Sequence, residues 1–185
     1  MKNIYIVLSQ TGTLFSRAIR NYTKDPYNHA SISFDSNLEV MYSFGRKHRY
    51  NLLNNGFITE NFNSGMFLFF PNAQCCILEI PVTDAEYAVM YETVTFFQNH
   101  QQNYRYNLIG VLSYAVGVGL TRKDHFFCSQ FVSYLLGKTA FWHSVPELTR
   151  PMDFYNLPQK RVVFEGCIMD FRGAPIGRQR YSLAR

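Results

Sequence analysis

His29-Ala30-Ser31-Ile32-Ser33-Phe34 alternates with period two: Ala30, Ile32 and Phe34 fall on one side, and His29, Ser31 and Ser33 on the other. That pattern marks a strand with one face in the core. Asp35-Ser36-Asn37 is a turn signal, and Leu38 to Phe44 reads as the returning strand of a hairpin. A three-residue loop pairs Phe34 with Leu38 and sets Ser43 opposite His29. A two-residue loop moves the register by one and reverses the faces.

Upstream, residues 4–9 form a short apolar run expected as a buried strand. Thr11-Gly12-Thr13 breaks it. Leu14, Phe15, Ala18 and Ile19 then recur at helical spacing, which predicts a helix over 13–22 that ends before Asp25-Pro26. Downstream, Gly45, Asn54-Asn55-Gly56 and residues 61–65 mark a loop-rich region with short strands near 57–60 and 66–70. Residues 75–81 read as a clearer strand. Thr83 and Glu86 have the spacing of a capping box, followed by a helix to about Asn99 with Tyr87, Met90, Tyr91, Val94 and Phe97 on one stripe. A second helix is expected over 107–118 and a third from Phe127 to Gly137, with a last strand at 162–164. Strands first, helices later and a strand at the end give an α+β single domain. Its core is expected over about 3–165, followed by a basic C-terminal extension, 166–185.

The chain has 185 residues, enough for one well-packed core, and 47% hydrophobic against 17% charged residues is a globular composition. Net charge is +5. The basic residues are scattered; the densest groups are Arg46-Lys47-His48-Arg49 and the tail Arg172, Arg178, Arg180 and Arg185. Without a long Lys/Arg run, no nucleic-acid partner is expected. Cys75, Cys76, Cys128 and Cys167 show no C-x-x-C spacing and no paired histidines, so no metal and no cofactor is expected. Neighbouring cysteines in a strand point to opposite faces, which argues against a Cys75–Cys76 disulfide. The run Ile4–Leu8 is too short for a signal sequence. The longest apolar stretch, Leu108 to Leu120, has about 13 residues against the roughly 20 that span a bilayer. The expectation is a soluble cytoplasmic protein with no transmembrane segment.

The chemistry-bearing segment is Phe127-Cys128-Ser129-Gln130-Phe131-Val132. Cys128 opens the third helix, where backbone N–H groups are unpaired and the dipole end is positive. Both features favour a thiolate, and the same N–H groups suit an oxyanion. The plainer reading of Cys128, alone, is a small hydrophobe on the stripe of Phe131, Val132 and Leu135. His29 alone is equally well a polar strand residue. Each gains meaning only as the other's partner.

Their order along the chain resembles the permuted papain-like cysteine peptidase and amidase family related to the NlpC-type peptidases, including its YiiX-like members. The matching stretches are Asn28-His29-Ala30-Ser31-Ile32-Ser33, Met41-Tyr42-Ser43-Phe44-Gly45-Arg46-Lys47, Tyr106-Asn107 and Phe127 to Val132. They cover about residues 3–165. In permuted members the histidine strand precedes the cysteine helix, as here. The resemblance implies an antiparallel half-barrel sheet packed on the cysteine helix. It also implies Cys128 as nucleophile, His29 as base, and a third polar residue that orients the imidazole from the paired strand. Ser43 is the choice under a three-residue loop; Glu39 is chemically better but nearer the turn, and Glu60 lies beyond the next loop. Arg46, Tyr106 and Gln10 are candidate substrate-binding residues. His125, three residues before Cys128, is a rival base. The implied activity is hydrolysis or acyl transfer at an amide or ester of a peptide, a peptidoglycan fragment or a lipid acyl group. A catalytically silent binding module on the same fold is the alternative, motivated by the uncertain third residue.

Overall fold

The computed structural model describes residues 1–10, 25–46, 55–115 and 117–171. The helix expected over 13–22, the basic residues 47–49 and the arginine tail lie outside them. Eight strands are described: β1 (Lys2–Ser9), β2 (His29–Ser33), β3 (Met41–Arg46), β4 (Asn55–Glu60), β5 (Gln74–Val82), β6 (Arg105–Tyr106), β7 (His125–Phe126) and β8 (Arg161–Cys167). Six of them form one antiparallel sheet in the order β4-β3-β2-β1-β5-β8, and β6 pairs with β7 in a small parallel ribbon. The helices are α1 (Asp84–Asn99), α2 (Leu108–Ala115), α3 (Cys128–Leu136), α4 (Pro151–Tyr155) and α5 (Ile168–Phe171). The fold is α+β and forms a single small domain.

Alternation divides the sheet between two cores. Ile4, Ile6, Leu8, Ala30, Ile32, Phe44 and Phe57 face α1 and α3, where they meet Met90, Val94, Phe97, Phe131, Val132 and Leu135. Tyr5, Val7, Met41 and Ile77 face the other way, toward Phe62, Phe67, Ile168 and Phe171. Cys76 lies in the first core and Cys75 in the second, so the adjacent thiols do point apart, and all four cysteines are free. At the centre of the first core Phe131 meets Phe44, Phe57 and Phe97 with ring centroids 5.2, 5.6 and 5.2 Å away. These off-parallel contacts seat the cysteine helix on β3 and β4.

Thr83 and Glu86 form the expected reciprocal cap: Glu86 N–H donates to Thr83 Oγ1 and Thr83 N–H to Glu86 Oε2. Three expectations change. Residues 66–70 are not a strand; Gly65, in the left-handed region with φ +60°, opens a 3-10 helix over Gly65–Phe69. The folded body does not stop at 165. Cys167 still pairs with Gln74, and Ile168 and Phe171 are buried in the second core.

The third change is the register of the central hairpin. Ile32 pairs with Tyr42, which sets Ser31 against Ser43 and His29 against Gly45. The connection is longer than three residues because Asp35 builds a turn of its own. Its carboxylate accepts from Asn37 N–H and Glu39 N–H, Ser33 Oγ donates to the Val40 carbonyl, and Leu38 turns inward at φ +55°. The register moves by two residues, which keeps every face but changes every partner.

Candidate active site

Cys128 begins α3, behind an extended Phe127 whose N–H donates to Gln130 Oε1. As in any helix, the N–H groups of the first turn lack intrahelical acceptors and point past the helix end. The end is held in place from below. Ser129 Oγ donates to the Thr149 carbonyl, Trp142 Nε1 to Ser133 Oγ, and Gln130 Nε2 to Glu147 Oε1 at 3.5 Å. Asn107 N–H donates to the Phe126 carbonyl, which ties the β6 ribbon to the segment leading into Cys128.

His29 is the first residue of β2, paired with Ser9 of β1. Opposite stands Gly45; a Cβ there would crowd Ile58 Cδ1 at 2.8 Å and would only touch His29 Cε1, at 3.9 Å. Glu60, the last residue of β4, reaches the imidazole: Nε2 lies 2.9 Å from Oε2 and 3.2 Å from Oε1. Ser31 Oγ donates to Glu60 Oε2 at 2.6 Å. The His29 and Glu60 side chains are only 13% and 10% exposed. With Nε2 taken by the carboxylate, Nδ1 is the ring nitrogen left for a second partner.

Burial opposes a charged imidazole. The Glu60 carboxylate and the hydrogen bonds of Cys128 and Glu60 outweigh it, holding His29 well above its ordinary value. Burial likewise opposes the Glu60 charge. Its attraction to His29 and the hydrogen bonds from His29 and Ser31 nevertheless keep that carboxyl below its usual range. Cys128, His29 and Glu60 thus form one chain of interacting groups, with Ser31 bracing its far end. The thiol sits on the helix, the imidazole on β2 and the carboxylate on β4.

Ser43 is not the orienting residue. In the observed register it stands opposite Ser31, and its hydroxyl donates to the Ala30 carbonyl at 2.7 Å. It is a fully buried structural bond between neighbouring strands. Ser43→Ala is therefore expected to lower stability by about 1 kcal/mol while leaving the alkylation rate of Cys128 unchanged, checked by urea unfolding and iodoacetamide kinetics. Glu39 sits at the turn with its N–H bound by Asp35, away from the imidazole. His125 donates through Nδ1 to the Lys123 carbonyl, and it is His29 whose charge responds to Cys128.

Gln10, Arg46 and Tyr106 come to the same end of the sheet as His29. Gln10 follows Ser9, His29's cross-strand partner, and its N–H donates to the Gln74 carbonyl. Arg46 follows Gly45 and pairs with Asn55, whose Oδ1 accepts from Tyr106 N–H. Gly56 makes this junction fit: a Cβ there would lie 2.6 Å from the Tyr104 carbonyl oxygen, and its φ of +153° is one that other residues rarely adopt. Periodicity also passes over two hydroxyls. Ser31 carries the Glu60 contact, and Ser9 Oγ, fully buried beside His29 in the register, has no hydrogen-bond partner among the described residues. Their signal in the sequence is only a position on the histidine's face.

Among the described residues no three His, Cys, Asp or Glu side chains gather as a metal-binding group, and no helix is long and apolar enough to cross a membrane. No protein-family model, curated protein or solved structure matches the chain.

Proposed function

We propose that this protein is a thiol-dependent hydrolase or acyltransferase acting on an amide or ester, built on a circularly permuted papain-like fold. The observation that supports it is the chain Cys128, His29 and Glu60, with the cysteine at a helix start and a carboxylate 2.9 Å from the imidazole. A nucleophile, a base and a group that orients the base are the three parts such chemistry uses.

In this reading the Cys128 proton passes to His29, and the thiolate attacks the substrate carbonyl carbon. The carbonyl electron pair becomes an oxyanion, held by first-turn N–H groups of α3. As the intermediate collapses, the bond to the leaving amine or alkoxide breaks and His29 returns the proton to it. The acyl group remains as a thioester on Cys128. Water, or an acceptor hydroxyl or amine, then gives a proton to His29 and attacks the thioester. The sulfur leaves and recovers its proton. Glu60 stays ionised throughout and fixes which ring nitrogen faces the sulfur. Gln10, Arg46 and Tyr106 are the substrate-binding candidates, with Arg46 suited to an anionic group. The alternative, a silent binding module, draws its motive from a missing orienting residue, and Glu60 fills that place.

The test uses a panel of p-nitrophenyl acyl esters and aminoacyl p-nitroanilides. A burst of nitrophenol or nitroaniline is expected, with a matching acyl mass on the Cys128 peptide, and neither signal from Cys128→Ala. Equal slow turnover by wild type and Cys128→Ala across the panel would overturn the assignment.

A further inference from the structure

From Asn107 to Thr121 the chain carries no charged residue and no histidine, and Arg105 and Arg122-Lys123 bracket it. A buried segment would explain that composition, yet much of this one faces outward. Leu108 and Ile109 on the first turn of α2, Val118 and Leu120 after it, and Val145 and Leu148 around the 3-10 helix Pro146–Leu148 are 36 to 55% exposed. They belong to one surface. Asn107 Nδ2 donates to the Leu120 carbonyl, and Asn107 Oδ1 accepts from Gly110 N–H. Gly119 lies against Leu148, and Thr121 Oγ1 donates to Glu147 Oε1. Glu147 in turn accepts from Gln130, two residues beyond Cys128. The apolar surface therefore flanks the start of the cysteine helix.

We propose that this surface docks on an anionic lipid bilayer, with its aliphatic side chains among the acyl chains and its basic edge, Arg105, Arg122 and Lys123, at the headgroups. The physical grounds are a run without charges, exposed aliphatic side chains that cost free energy in water, and cations gathered at one edge, where Arg105 and Arg122 both pair with His125. The chain's +5 charge favours the same kind of surface. A second copy of the chain would also cover the aliphatic residues, and sedimentation velocity without lipid separates it from the bilayer. Docking does not depend on the thiol chemistry. It would hold the Cys128 end of α3 near the membrane plane, within reach of a membrane-borne substrate.

The experiment is co-sedimentation of the full chain with vesicles of phosphatidylcholine alone and with phosphatidylglycerol admixed, joined to sedimentation velocity without lipid. Binding is expected on the anionic vesicles, weakened by salt. Ile109→Asp and Val118→Asp, both surface changes, should each weaken it more than about tenfold. Cys128→Ala should bind as wild type does, so failure of the docking surface and failure of the thiol mechanism are read separately. Absence of binding to either vesicle overturns the proposal, as does binding that both aspartate variants retain. Self-association broken by Ile109→Asp, with no vesicle binding, overturns it in favour of a second copy.

Discussion

His29→Ala is expected to slow iodoacetamide alkylation of Cys128 at pH 6.5 by about tenfold or more, with a changed pH profile. In the proposed mechanism His29 takes the Cys128 proton as the sulfur attacks, so removing the imidazole removes the base. Base assistance of this kind is worth on the order of a hundredfold or more, and a loss of about tenfold is its lower bound. Cys75 and Cys76 serve as internal controls. Both are fully buried, and burial pushes both thiols up, Cys76 to about 12. Should Cys128 label no faster than half-buried Cys167, or should His29→Ala leave its rate and profile untouched, the dyad is wrong.

Glu60→Ala should destabilise the fold by about 3–5 kcal/mol near pH 6, because it strands His29 in a site where burial opposes its charge. Glu60→Gln, which keeps the shape and a hydrogen bond, should cost less. The pH dependence carries more information than the size. Glu60 is held below its ordinary value of 4.5, so its contribution is complete above that value and is lost as pH falls through the folded one. His29 is held above its ordinary value of 6.5, so its contribution is complete below 6.5 and is lost as pH rises through the raised value. The wild-type protein should therefore have a stability plateau between about pH 4.5 and 6.5, falling below it as Glu60 takes up a proton and above it as the advantage of a charged His29 is lost. Urea midpoints of wild type and Glu60→Ala should be furthest apart on that plateau and converge on both sides. A difference constant from pH 3 to pH 10, on the order of the whole titration range, would mean that the pair is not the source. Combined with His29→Ala in a double-mutant cycle, the same variant measures the coupling directly.

These outcomes turn on a residue that local pattern could name only as a third choice. The period-two run His29–Phe34, the capping box at Thr83 and Glu86, and the Cys128 helix were legible because each depends on neighbours a few residues away. The same is true of Cys75 and Cys76 facing opposite cores. What fails is pairing across a gap. Whether Ser43 or Gly45 stands opposite His29 depends on how many residues the Asp35 turn consumes. That number is set by side-chain hydrogen bonds from Ser33 and Asp35 and by the burial of Leu38 in the second core. Even so, the shift by two kept each face, which is why His29 still looked to the right side.

The sequence by itself determined the alternation of the strands, the single-domain α+β class, and two chemically capable residues at element starts, Cys128 and His29. Only the tertiary structure brought in Glu60. It lies 31 residues from His29 and reaches the imidazole because β4 pairs with β3 at Met41 and Glu60 while β3 pairs with β2 at Tyr42 and Ile32. Register across three strands is set by the packing of Phe44 and Phe57 under α3 and by the close approach that Gly56 allows to Tyr104. Those are long-range contacts, and no local periodicity encodes them.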